Sequence, residues 1–415
     1  MIRLFIYKLL SMFSSETRKW NKQIRQNKIN HKELYIRDDE LCPCGSDKQF
    51  IDCCKTKKDT FPVKSPKPIS VIIGEEINKA RNSKKVCIHP NQSKCKGKIK
   101  KAHALQNHKI LSLLSENTGH VYCLDKSKHP VVLSDNPADP LIIGMFTNTS
   151  VNSATTENCF CDYHDTVAFS SIESGAPDFA PENEEMKFTY AYKSFAFEYY
   201  NFLIEFMIFR ELFKKRPQVF SLADQVAFYR MLQLKQAEFE PIKKHYDNEI
   251  MAGTHNGIIT CVIELPYQIR FANYAFIAPD FDIDGRLFCN TKDGVMHRLS
   301  VTVFPEKTKS YILMSCLESE KDIYQGYFDN IKSAQLDKVT YYFSLILPLY
   351  SENIVISKSL WSDLDEVGQI GLTHLINLHG VDALKMSRTL SMALLNASKR
   401  KNFNYSARTK IDLFR

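Results

Sequence analysis

Four cysteines near the N-terminus form the pattern in this sequence with the clearest chemical meaning. Cys42 and Cys44 are separated by one residue, and the adjacent pair Cys53 and Cys54 follows shortly afterwards. Thiolates at such spacing in a reducing compartment are typical metal ligands rather than disulfide partners. Zinc takes four thiolate or imidazole ligands in a tetrahedron, and a site closed by four protein ligands is structural. The sequence therefore predicts a structural zinc site, whose binding free energy would fold a module too short for its own core.

A second group of potential ligands is spread over a longer stretch of chain. Two cysteines flank a turn rich in proline, asparagine and serine, and a cysteine and a histidine follow much later, three residues apart. A turn and a helix start that each supply two ligands make a treble-clef arrangement, so a second structural zinc is expected. Two substitutes stay open, because His89 could replace a cysteine of the turn and Cys159 could replace Cys161. The predicted ligands are Cys87, Cys95, Cys161 and His164.

The first cluster resembles the SEC-C motif, a zinc-binding module known from the preprotein translocase ATPase and from many unrelated bacterial proteins. Ile51 and Asp52 stand where that family usually has a lysine before the second cysteine pair, so the surface charge differs. The resemblance implies one zinc ion and a role in binding a protein partner or an anionic surface. It rests on Cys42-Pro43-Cys44-Gly45-Ser46, Lys48, Phe50 and Cys53-Cys54-Lys55.

The order of features around the second cluster resembles HNH nucleases of the ββα-metal type. In that family a histidine ending the first strand is the general base, and a residue on the helix behind the second ligand pair holds a catalytic cation. The resemblance implies that His103 is the general base and that Asp165 is a ligand of Mg²⁺ or Mn²⁺. Water would attack a phosphodiester, with His103 accepting the proton and the cation stabilising charge on the phosphate and the leaving oxygen.

Three departures from the HNH pattern keep a second hypothesis open. Ala102 stands where an acidic residue usually precedes the base, Asp165 replaces the usual histidine or asparagine, and the middle asparagine could be Asn107 or Asn117. A carboxylate does suit a hard cation. The alternative is a zinc-organised adaptor that binds nucleic acid or a protein partner without catalysis. The combination of SEC-C and HNH-like elements is similar to bacterial mobile-element or phage-defence proteins, which is an analogy only.

The charge pattern around the second cluster favours nucleic acid as a partner. From Ile77 to Ser115 the chain carries ten lysines and arginines and no aspartate or glutamate. Cations without nearby counter-charges repel one another unless a polyanion is close, and binding through phosphates weakens steeply with salt. The predicted nucleic-acid contacts are Lys94, Lys96, Lys98, Lys100 and Lys101.

The whole chain has the composition of an ordinary globular protein, with 415 residues, 44% hydrophobic residues and a net charge of +8. It contains no phosphate-binding loop and no dinucleotide fingerprint. Met1–Phe13 is apolar but too short to span a bilayer, so it is expected to dock on the protein or a partner, or to lie on a membrane surface. We expect a cytoplasmic protein without a transmembrane segment.

These residues must be positioned by an α+β fold in which zinc-stabilised N-terminal modules precede a larger mixed helical and β domain. The expected units are a basic helical segment (1–40), the SEC-C module (41–60), a treble-clef or HNH-like module (70–172) and a C-terminal α+β domain of unknown role (186–415), with Pro62, Pro66 and Pro68 in the linker before the third unit. Helices are predicted over 186–215, 221–246 with a break near Pro241, 319–334, 336–350, 361–378 and 381–399. Strands are predicted over 258–265, 274–278, 286–289, 299–304 and 310–315.

Overall fold

The computed structural model describes residues 34–60, 69–124, 131–132, 142–173, 175–292, 295–378, 380–400, 402–406 and 410–414. The predicted basic segment lies outside these ranges up to residue 33, and so does the linker with its three prolines. Within the described ranges, no helix combines the length and the apolar character needed to cross a lipid bilayer.

Runs of helices and runs of strands follow one another along the described chain, as expected for an α+β protein. The helices are α1 (Ile69–Ser83), α2 (Asp162–Ala168), α3 (Glu184–Lys215), α4 (Ala223–Ala252), α5 (Lys321–Ser333), α6 (Leu336–Tyr350), α7 (Lys358–Asp363), α8 (Glu366–Ile376) and α9 (Gly380–Ser398). The strands are β1 (Ile99–His103), β2 (His120–Leu124), β3 (Phe146–Ser150), β4 (Thr156–Cys161), β5 (Ile258–Leu265), β6 (Phe271–Ile277), β7 (Leu299–Pro305), β8 (Ser310–Leu317) and β9 (Ile354–Ile356). Short helical turns cover Gln92–Lys94, Asn107–Leu111, Ser112–Leu114, Pro217–Phe220 and Glu318–Glu320. Strands of two residues each pair Val131–Val132 with Ile142–Ile143 and Thr291–Lys292 with Val295–Met296.

Seven strands form one antiparallel sheet in the order β3-β2-β9-β6-β7-β8-β5. Every residue of β7 is buried, and so is every residue of β8 except Leu317. A strand covered on both faces reads as a nearly continuous apolar run, which explains why the sequence predicted these strands well. The segment between β1 and β4 supplies β2 and β3, so residues 70–172 and 186–415 share this sheet.

The sheet separates two apolar cores. One face, with Tyr274 and Leu313, packs against α3, α4 and both cysteine clusters. The opposite face, with Val303 and Ile312, packs against α5 to α9. Helix α3 lies in the first core, which is why its sequence is apolar almost all round.

Three local predictions were wrong. The helix predicted over 361–378 is interrupted between α7 and α8, where Asp365 caps α8 by accepting the Gly368 amide (2.9 Å). Helix α4 runs straight through Pro241, because the proline is exposed and neighbouring buried residues such as Phe239 and Ile242 hold both halves in the core. Residues 286–289 form no strand, since the chain turns back on itself where the Asp282 amide donates to the Arg286 carbonyl oxygen (2.9 Å), which leaves only a single bridge between Phe281 and Leu287.

Candidate metal centres and the adjoining strands

The first cysteine cluster is assembled as predicted. The sulfur atoms of Cys42, Cys44, Cys53 and Cys54 lie within 4.8 Å of one another. Cys53 Sγ is 3.5 Å from Cys44 Sγ and 3.7 Å from Cys54 Sγ. Four sulfurs at these separations can surround one ion, so the cluster could hold a metal such as zinc.

Two tight turns bring these four sulfurs together. The Gly45 amide donates to the Cys42 carbonyl (3.0 Å), and the amides of Cys53 and Cys54 both donate to the Phe50 carbonyl (3.2 Å each). Gly45 has a φ of +74°, and a Cβ at this position would lie 3.2 Å from the Arg210 side chain on α3. The resemblance to SEC-C therefore includes a glycine that the local backbone requires.

The first cluster is docked on the scaffold helix α3 and on the start of α4. The Phe50 ring contacts the Phe213 ring edge to face at 6.1 Å between centroids. The Asp59 carboxylate accepts the Gln218 amide (2.7 Å), and Arg230 of α4 pairs with Glu40 (2.8 Å). The module is fixed to the core rather than suspended on a linker.

The thiols of the first cluster sit in unequal environments. Burial raises the pKa of Cys54 to about 11, whereas a hydrogen bond from the Ser46 hydroxyl is the main cause that lowers the pKa of Cys53 to about 7. Four thiolates packed this closely would repel one another strongly, and a bound dication offsets that repulsion. The donor set thus fits a divalent, sulfur-seeking metal.

The second cluster brings together Cys87, Cys95, Cys161 and His164, whose ligand atoms also lie within 4.8 Å of one another. His164 Nδ1 is 3.3 Å from Cys87 Sγ, 3.5 Å from Cys95 Sγ and 3.4 Å from Cys161 Sγ. One ring nitrogen therefore faces three sulfurs from two distant parts of the chain. This geometry could hold a metal ion such as zinc.

Backbone pairing explains how such distant residues meet. The amides of Val86 and Ile88 donate to carbonyls of Asn158 and Cys159, so the turn with the first two cysteines runs beside β4. The Asp162 amide at the start of α2 donates to the Lys98 carbonyl (3.1 Å). Because β4 runs directly into α2, its last residue and the first helical turn present the remaining two ligands.

Neither alternative ligand is part of the second cluster. His89 stacks on the His164 ring at 3.8 Å between centroids, and its Nδ1 accepts the Asn91 amide (3.1 Å). Burial is the main cause that lowers the pKa of His89 to about 4, so the ring is neutral. Cys159 is fully buried in the first core. His89 therefore orients the ligand histidine instead of replacing a cysteine.

His103 ends β1, opposite Thr156 of β4. Its Nε2 atom lies 3.1 Å from the carbonyl oxygen of Val151, and its burial lowers its pKa. A neutral ring that donates from Nε2 to a carbonyl has its lone pair on Nδ1. His103 is thus held in the tautomer and charge state that a general base needs.

Asp165 lies on α2, directly after the ligand His164, and is paired with a lysine from β1. Lys100 Nζ is 3.3 Å from Asp165 Oδ2 and 3.2 Å from Asp162 Oδ1. The lysine ammonium therefore occupies a position between two carboxylates, where a cation is electrostatically favoured. Burial is the main cause that lowers the pKa of His103, and the contact with the Val151 carbonyl and the charges of Glu173 and Asp165 oppose it.

The basic segment is only partly free of counter-charges. Lys94, Lys96, Lys98 and Lys101 are exposed, whereas Lys100 makes the ion pairs just described. Others of the ten cations are neutralised by distant parts of the chain, as Lys84 is by Glu211. Sequence reasoning missed these partners because they lie on helices far away in the chain and belong to no motif.

Comparison with family models, curated proteins and solved structures finds no match to this chain. The resemblances to the SEC-C module and to HNH nucleases therefore depend on the residues and on the geometry described above. Both clusters are arranged as metal sites. The antiparallel strands β1 and β4, with His103 at the end of β1, adjoin the second cluster, and β4 leads into helix α2 with Asp165.

Proposed function

We propose that both clusters bind zinc as structural ions. The first offers four sulfurs and the second offers three sulfurs and one imidazole, which are ligand sets typical of tetrahedral zinc. All four positions in each cluster are taken by protein atoms, which leaves no open coordination site for catalysis.

We expect two zinc ions per chain by elemental analysis, with the first held less firmly in the variant Gly45→Ala. An alanine at a φ of +74° costs about 1–2 kcal/mol, and its Cβ would also press on Arg210. The measurement is the rate at which a chelator removes zinc.

The matched control for that experiment is Gly253→Ala at the end of α4. This glycine has a φ of +69°, and a Cβ there would meet nothing within 4 Å. The control carries the same backbone cost, and its added Cβ contacts no residue of the first cluster, so the zinc of that cluster should leave at the wild-type rate. Equal rates in both variants would refute a role for Gly45 at the first cluster.

We infer that the protein is a metal-dependent HNH-like nuclease that hydrolyses phosphodiester bonds in nucleic acid. The observation that carries this proposal is the layout of β1, β4 and α2, in which His103 ends one strand and Asp165 follows the ligand His164 on the helix. When bound, a Mg²⁺ or Mn²⁺ ion would stabilise negative charge on the phosphate and on the leaving oxygen. His103 would accept the proton of the attacking water at Nδ1.

The lysine beside Asp165 has a definite role in this proposal. Lys100 occupies the position between Asp162 and Asp165 in which a cation is favoured, so it must leave when the carboxylates take up a divalent ion. Its ammonium can then pair with a phosphate of the substrate. The four exposed lysines nearby would hold the flanking phosphates, which makes binding salt-dependent.

A non-catalytic adaptor is the second candidate, and two observations favour it. Asp165 already has a satisfied ion pair, so the site is stable without any divalent ion. The SEC-C-like module also presents Leu41 and Ile51 to solvent, with 63% and 45% of their surface exposed, which suits a protein partner. A role in bacterial defence stays a prediction for either candidate.

The nuclease proposal is tested by incubating the protein with DNA and RNA, single- and double-stranded, in the presence of Mg²⁺ or Mn²⁺. Asp165→Ala is expected to reduce cleavage about 100-fold or more, because it removes the oxygen ligand that would hold the hard cation. Zinc content and nucleic-acid binding should persist, since Asp165 is not a zinc ligand.

Asp38→Ala is the control, because Asp38 pairs with Lys55 in the first module as Asp165 pairs with Lys100 in the second. It should cleave at the wild-type rate. Binding of nucleic acid without cleavage by the wild type under any of these conditions would favour the adaptor.

A further inference from the structure

A cavity of about 280 Å³ lies where the loop after β1 meets the rest of the protein. Its walls come from residues 106–113, from Ile172, from residues 177–179, from α3 and from the end of β7 with the turn that follows it. Aromatic and aliphatic side chains, including Phe179, Met186 and Phe304, form much of the wall. Its volume is slightly below the usual range of small-molecule sites, so a ligand would be smaller than a typical cofactor.

Gln106 gives this cavity a specific polar feature. Its side chain is buried, and its Nε2 donates to the Ile172 carbonyl oxygen (2.8 Å) and to the Tyr190 hydroxyl oxygen (2.9 Å). A carbonyl only accepts, so this contact fixes the orientation of the amide. Gln106 Oε1 is left buried without a hydrogen-bond partner in the described part of the chain.

Tyr190 completes the pattern. Its oxygen accepts from Gln106, which leaves its own O–H proton available as a donor. Burial raises the pKa of Tyr190, so the phenol keeps this proton at neutral pH. Gln106 and Tyr190 are neighbouring side chains of the cavity wall, and between them they have one unused acceptor and one unused donor, so a ligand that satisfies both must carry a donor beside an acceptor.

The charges around the cavity are balanced. Lys109 donates to the Pro177 carbonyl, and Glu306 accepts the Phe179 amide (2.6 Å). Asp178 and Lys307 add one exposed charge of each sign. A strongly anionic or cationic ligand is not favoured by this set, whereas a neutral ligand is.

We propose that this cavity binds a nucleobase or a nucleoside. Each of the common bases has a hydrogen-bond donor next to an acceptor on one edge, and each has flat apolar faces that suit aromatic walls. The proposal does not depend on the proposed nuclease activity, because it rests on Gln106 and Tyr190 rather than on His103 or Asp165.

The test is calorimetric titration of the full chain with adenosine, guanosine, cytidine and uridine, and with ribose as a probe that lacks a base. We expect at least one nucleoside to bind and ribose not to bind. Tyr190→Phe keeps the ring and removes only the donor, so it should weaken binding about tenfold, the effect of one net hydrogen bond. Titration with the corresponding 5′-monophosphate distinguishes a nucleoside site from a nucleotide site, because the balanced charges around the cavity predict that the added phosphate does not tighten binding.

Tyr327→Phe is the matched control, because Tyr327 is a buried tyrosine on the opposite face of the sheet whose hydroxyl contacts Tyr342. It should bind like the wild type. If Tyr190→Phe does not fold, the wild type alone still decides the case: a base analogue without its exocyclic amino or carbonyl group must bind at least tenfold more weakly. Absence of binding by all four nucleosides, or equal binding of Tyr190→Phe and the wild type, would overturn the proposal.

Discussion

Replacing Cys161 by serine is expected to lower the zinc content from two ions per chain to one and to unfold the segment around the second cluster. Cys161 ends β4 and lies within the first core, and its sulfur is 3.4 Å from the ligand nitrogen of His164. Structural zinc contributes about 10 kcal/mol or more to folding in small modules, which is comparable to the total stability of many domains. Loss of this ion should therefore destabilise the fold well beyond its four ligands.

Hydrogen exchange identifies the part of the chain that unfolds in Cys161→Ser. The amides of Val86 and Ile88 donate to carbonyls of β4 beside the second cluster. We expect the bound metal to hold this turn against β4, so both amides should lose protection in Cys161→Ser. The amides between β7 and β8 lie in the middle of the large sheet and should keep theirs. Cys159→Ala is the control, because Cys159 was the alternative ligand on the same strand and should leave both zinc ions in place. Two retained zinc ions in Cys161→Ser would disprove the ligand assignment.

The two ligand sets could be predicted from the sequence because each depends on short spacings. Cysteines that are adjacent or nearly adjacent in the sequence must lie close together in space, and a cysteine and a histidine three residues apart meet on one helical turn. The choice between Cys159 and Cys161 could not be made in this way, since both lie on β4 and only the end of the strand faces the turn. The role of His89 also needed the fold, because stacking on His164 leaves no signal in the sequence.

Long-range electrostatics around the candidate site were not predictable either. The segment from Ile77 to Ser115 contains only positive charges, yet the structure pairs Lys100 with Asp162 and Asp165. These carboxylates belong to α2, and only the pairing of β1 with β4 brings them close. Similarly, nothing in the sequence indicates that β2 and β3 join the large sheet, because strands of only five residues give a weak signal beside the loops that flank them.

The second large effect is expected for His103→Gln, which should reduce metal-dependent cleavage of nucleic acid by about 100- to 10,000-fold, the usual contribution of a general base. Glutamine can still donate from its amide to the Val151 carbonyl, so the fold around the site should be preserved. It has no basic nitrogen, and it therefore cannot accept a proton from water. Unchanged circular dichroism and two retained zinc ions would show that the loss is chemical.

His120→Gln is the matched control for this variant. His120 is exposed on β2, and its Nδ1 contacts the Thr118 carbonyl (3.0 Å). The control variant therefore also removes an imidazole that contacts a backbone carbonyl. It should cleave at the wild-type rate. Equal activity of His103→Gln and the wild type would exclude His103 as the base.

The pH profile provides an independent check on the same assignment. A base works in its neutral form, and burial lowers the pKa of His103 below the usual value of about 6.5. Cleavage should therefore already be at its plateau at pH 7 and should fall only as the pH drops through the lowered pKa. A fall in the cleavage rate centred above pH 7 would point to a different group, because burial lowers the pKa of an imidazole and does not raise it. Retention of this acid limb in His103→Gln would likewise assign the titration to another residue and remove the histidine from the proposed mechanism.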